Sequence, residues 1–119
     1  MRPAVLLLAL AAAACSIAPA PPDPDPVAGP PLRQGELAAA DPVLAAACVS
    51  RGVPGTVVEL RREGAAVRPV AEATPVALVL DRQPGGAVAW RLLGPGAGTV
   101  AEALDRALQD CAGGIGGPA

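Results

Sequence analysis

The chain has 119 residues, a net charge of −2 and 52 % hydrophobic residues, yet a single aromatic side chain, Trp90. All nine positive charges are arginine and histidine is absent, so neither a Ser-His or Cys-His nucleophile nor an imidazole metal ligand can be assembled. With so little charge of one sign there is no basic face to neutralise phosphates, and hence no electrostatic case for a nucleic-acid partner.

In chain order, Arg2 supplies a charged start, Val5 to Leu10 a short apolar run, and Ala12-Ala13-Ala14 a small-residue stretch before Cys15. This is the pattern of an export signal over residues 1–14, too short to span a bilayer. Ala12-Ala13-Ala14-Cys15 resembles the lipobox of bacterial lipoproteins, with Ala12 where that family usually has leucine. The resemblance implies cleavage behind Ala14, a fatty acyl anchor of the palmitate type on Cys15, and a place in the bacterial cell envelope. Ser16 resembles the residue that sorts such proteins to the outer membrane, facing the periplasm. Ordinary secretory cleavage, behind Ala14 or at Ala18-Pro19-Ala20, is the alternative.

Residues 15–35 are rich in proline and poor in apolar side chains. Proline removes backbone donors and fixes φ near the polyproline II value, so this stretch reads as an extended linker reaching on the order of 50 Å. The folded part is expected over residues 36–112, with a flexible tail over 113–119. Asp41-Pro42 starts a helix that runs from Pro42 to Arg51 and stops at Gly52, with Leu44, Ala47 and Cys48, joined by Val43 at its margin, on its buried face. Thr56-Val-Val-Glu59 has capping-box spacing and predicts a second short helix over Val57 to Glu63, although the same residues suit a strand.

The middle is β-like. Ala66–Val70, Val76–Asp81 and Ala87–Leu93 are rich in valine and leucine, and the last two alternate, placing Val76, Leu78 and Leu80 on one face and Val88, Trp90 and Leu92 on one face. Arg82-Gln-Pro-Gly-Gly86 makes the last two a hairpin. Pro69 and Pro75 suggest that the first of the three is an edge strand. Thr99-Val-Ala-Glu102, a second capping-box pattern with Thr99 as the cap, then opens a helix to about Cys111, with Val100, Leu104, Leu108 and Cys111 as its buried stripe and Gly113-Gly114 as its stop. The expected fold is therefore a small α+β domain: a short antiparallel sheet of about three strands, packed by two or three helices and closed by one disulfide.

With Cys15 lipidated, Cys48 and Cys111 remain, each on the apolar face of a predicted helix; in an oxidising compartment they should pair. Two buried free thiols or a redox site are the alternatives. Gly94, Gly96, Gly98 and Thr99 lie between a strand and a helix start and could bind an anion through exposed amides, but their spacing is neither a dinucleotide fingerprint nor a P-loop. The carboxylates Glu59, Glu63, Glu102, Asp105 and Asp110 fit caps or solvated faces, and Arg61, Arg62, Arg68 and Arg91 interleave with Glu59, Glu63 and Glu72 as a mixed surface. No catalytic residues, metal site or cofactor are expected. The function expected is a noncatalytic, membrane-anchored accessory or interaction module for another envelope protein; the alternative is a small periplasmic domain that binds an anion or glycan through Gly94–Thr99.

Overall fold

The computed structural model describes residues 23–38, 40–71, 75–96 and 98–116, with side chains through residue 113. The sequence predictions for residues 1–22, Cys15 among them, and for 117–119 lie outside the described residues. Among these residues, five strands and two helices follow in the order β1 (Arg33–Leu37), α1 (Pro42–Gly52), β2 (Thr56–Arg61), β3 (Gly64–Pro69), β4 (Ala77–Arg82), β5 (Val88–Leu93) and α2 (Thr99–Gly116). The strands form one sheet of order β1-β5-β4-β3-β2 in which every neighbouring pair is antiparallel. The α+β class holds, with five strands in place of about three.

The helix start at Asp41-Pro42 forms as its chemistry dictates. The Asp41 carboxylate accepts the Val43 and Leu44 amides at 2.9 and 3.3 Å, satisfying donors that the helix leaves orphaned, and Pro42 has no amide to orphan. The buried face is a different one from that expected: Pro42, Ala45, Ala46 and Val49 turn inward, while Leu44 is 66 % exposed. Those four positions carry the i, i+3, i+4, i+7 spacing, and their small side chains let the helix lie close to the sheet.

The predicted second helix is instead β2. Thr56 does not cap an amide three residues ahead; its Oγ1 donates to the Val53 carbonyl at 2.7 Å and lies 2.9 Å from Ser50 Oγ, facing back to the end of α1. Without that cap, the β-branched Val57 and Val58 settle as strand, and Arg62-Glu63 becomes the two-residue turn of a hairpin in which Arg61 pairs with Gly64. The strand containing Ala66 is not an edge, since β3 lies between β2 and β4. Pro69 is tolerated because β4 pairs only with Gly64 to Val67, so no ladder bond is asked of its missing amide. The β4–β5 hairpin is present, and Gly85 and Gly86 hold its turn at φ of 97° and 99°, a region other residues rarely adopt.

Two further corrections concern the ends of the domain. Residues 33–35, expected in the linker, belong to β1, which pairs with β5 from Arg33↔Leu92 to Leu37↔Val88. Its polar composition hid it. Gly113-Gly114 does not end α2, which continues to Gly116; glycine costs a helix about 1 kcal/mol but leaves its hydrogen-bond ladder unbroken.

Both helices cover one face of the sheet. Leu78, Leu80, Val88, Trp90 and Leu92 from the strands meet Ala45, Ala46 and Val49 of α1 and Leu104, Leu108 and Cys111 of α2 in one core cluster. The other face carries a smaller cluster of Ala66, Val79 and Leu93, against which Val27 packs. Central β4 is thus buried on both sides: Ala77, Leu78, Val79 and Leu80 are all fully enclosed. Residues 23–27 form a strap across the face that the helices leave open.

Candidate functional site

The disulfide lies where the two helices meet. Cys48 and Cys111 are bonded, with Cα atoms 6.1 Å apart. Gly52 then faces Ala107: a Cβ placed on Gly52 would lie 3.4 Å from the Ala107 methyl. The chain thus advances along α1 from Cys48 to Gly52 while its neighbour on α2 recedes from Cys111 to Ala107, so the helices run antiparallel. Small residues at this crossing leave a groove of about 530 Å³, with the disulfide, Gly52, Ala103 and Ala107 at its base and Arg51, Arg106 and Asp110 around it.

Arg51 and Arg106 were not singled out from the sequence. The signal was present, since Arg51 is three residues beyond Cys48 and shares its helix face, and antiparallel helices joined at Cys48–Cys111 place Arg51 and Arg106 within about one turn of the same level. Neither arginine has a hydrogen bond or ion pair among the described residues. Most other arginines in the domain are engaged by carboxylates. Arg33 pairs with Asp105 of α2, Arg68 with Glu59 across the β2–β3 hairpin, and Arg61 and Arg91 with Asp81 and Asp25.

That last group fastens the strap. Arg61, whose side chain is only 10 % exposed, directs Nε to Asp81 Oδ1 at 3.1 Å and Nη1 to the Pro24 carbonyl at 3.0 Å. Arg91 grips Asp25 through two bonds of 2.5 and 2.8 Å, and the Arg62 amide donates to Asp23 Oδ2 at 2.5 Å. The bond from Arg91 holds the Asp25 carboxyl below the usual aspartate range, against the opposing effect of desolvation, and Asp25 raises Arg91 in return. Arg68 likewise holds Glu59 below its ordinary range through a side-chain hydrogen bond. Of the expected arginine and glutamate surface, Arg68 and Glu59 form an ion pair, while Arg61 and Arg91 turn to aspartates, Asp25 and Asp81; Glu72 lies outside the described residues.

The Gly94–Thr99 loop is divided. Gly96, Gly98 and Thr99 line a hollow of about 450 Å³ with Val76, Pro95, Val100 and Ala101, and no charged side chain lines it. Gly94 lies elsewhere, facing Val76, Leu32 and the Pro75 carbonyl. Thr99 is the first helical residue and not the cap, since the Glu102 amide bonds to the Gly98 carbonyl at 2.9 Å. Among the described residues no three His, Cys, Asp or Glu side chains gather to hold a metal ion, and no helix is long and apolar enough to cross a membrane. Compared with known proteins, the chain matches no family model, no curated protein and no solved structure.

Proposed function

We propose that the chain is a noncatalytic interaction module, held at a bacterial envelope membrane by a lipid on Cys15, on the periplasmic side of the outer membrane, and acting as an accessory to another envelope protein. The observation that carries this reading is the strap. Asp23, Pro24 and Asp25 are bound to Arg61, Arg62 and Arg91 on the sheet face opposite the helices. A chain arriving from an anchor at Cys15 thus joins the domain on one side, while the α1–α2 groove lies on the other. Seven residues lie between Cys15 and Asp23, and the eight Cα-to-Cα steps can span at most about 29 Å, so the module is kept close to the bilayer with its groove directed away from the chain's point of arrival. The noncatalytic reading is supported by the carboxylates: Glu59, Asp81 and Asp105 are each tied to an arginine, an arrangement suited to structure and not to proton transfer.

Metabolic labelling with a fatty-acid analogue tests the anchor. The protein should carry the label and partition with membranes, and Cys15→Ser should abolish both. An unlabelled, soluble wild-type product would overturn it. Cross-linking in intact envelopes should yield a defined stoichiometric product with another protein, and its absence would overturn the accessory role.

A further inference from the structure

We infer that the groove between α1 and α2 docks an acidic segment of a protein partner, with a carboxylate seated between Arg51 and Arg106; this rests on the reading of the chain as an interaction module. The two arginines approach from different helices, immediately before the Gly52–Ala107 contact, and both line the groove. Both are exposed, and neither is engaged within the described residues, whereas Arg33, Arg61, Arg68 and Arg91 already hold carboxylates. A guanidinium presents a planar fork of donors that fits a carboxylate with two parallel bonds. Two such forks across a concavity are placed to hold one group from both sides.

The remaining lining sets the ligand class. Asp110, one turn beyond Arg106, is the only carboxylate among the described residues that line the groove, so two guanidiniums and one carboxylate leave a single net positive charge there. That matches one carboxylate better than a phosphate dianion, which would face stronger repulsion from Asp110. The base, made of the disulfide and the Ala103 and Ala107 methyls, is apolar. It can take the methylene stem of a glutamate or aspartate while the exposed guanidiniums meet the carboxylate. The chain as a whole is slightly acidic, so the local excess of positive charge at the groove is what an acidic partner would seek.

The test titrates the full-length protein, in nonionic detergent, with an acetylated hexaglutamate amide, and separately with inorganic phosphate and with phosphatidylglycerol vesicles. Saturable peptide binding should weaken about tenfold or more in Arg51→Ala and in Arg106→Ala. It should strengthen several-fold in Asp110→Ala and be lost in the double charge reversal Arg51→Glu/Arg106→Glu. Trp90 fluorescence and the intact disulfide report that each variant is folded. Peptide binding that is indifferent to both arginines, or that weakens in Asp110→Ala, overturns the assignment. So does arginine-dependent binding of phosphate alone, which would make this a small-anion site, or of vesicles alone, which would make it a lipid contact. Because the titration does not depend on the anchor, a groove that fails beside a labelled, cross-linked protein refutes only this inference. A working groove on an unlabelled protein refutes only the anchor.

Discussion

Gly64 and Gly35 are held by what their missing side chains would strike. A Cβ on Gly64 would lie 1.8 Å from the Leu80 carbonyl oxygen, inside the β3–β4 ladder. Because that neighbour is backbone, it cannot rotate aside. Gly64→Ala should destabilise by about 3 kcal/mol or more, at or above the upper end of ordinary overpacking, read as a fall in the urea midpoint. A Cβ on Gly35 would instead meet the Trp90 indole at 2.9 Å, a side chain able to shift, so the two substitutions should differ in severity. Single residues were legible where the chemistry is local, as at the Asp41-Pro42 cap. They were not where the partner is remote: nothing near Gly35 announces Trp90, and Thr56 spends its hydroxyl on Val53 and Ser50 instead of on the capping box its spacing suggested.

The strap shows the same limit among elements. Asp23 to Val27 reads as proline-rich linker, and by local rules it is one, with no apolar periodicity and few backbone donors. Its place is fixed by Arg61, Arg62 and Arg91, which lie far along the chain. Strand β1 was hidden for a related reason, since an edge strand with one neighbour needs little hydrophobic patterning. Asp25 has its carboxyl pKa lowered in the folded chain, so its contribution to stability is in place above the ordinary aspartate value of about 3.9 and is lost as pH falls through the lower folded value. Asp25→Asn should remove that acid dependence and cost less than about 1 kcal/mol at neutral pH, as partly solvated pairs do. Hydrogen exchange at the Arg62 amide, which Asp23 covers, should accelerate in the variant, whereas the amides of β4 should not change.

For the whole molecule, the Cys48–Cys111 bond spans 63 residues and encloses β2 to β5 in one loop. Closing a loop of that length stabilises by roughly 4 kcal/mol on chain-entropy grounds, a large share of the 5–15 kcal/mol typical of a domain. Urea unfolding with and without reductant should show a loss of that size, and Cys48→Ser should reproduce it without reductant. This bond was legible from the sequence even though the face assigned to α1 was not, because Cys48 sits at the border between the two candidate faces and reaches Cys111 from either.

The arrangement of strands also fixes an order of events. Strand β1 precedes the other described elements in the chain, but its neighbour in the sheet is β5, and the strap before it needs Arg61 and Arg91. The hairpins β2–β3 and β4–β5 are local pairings that can form as soon as their residues appear, whereas β1 must wait, unpaired, for nearly the entire chain. Contact separation therefore favours pairing of the two hairpins first, with β1, which opens the folded sequence, joining once β5 is in place.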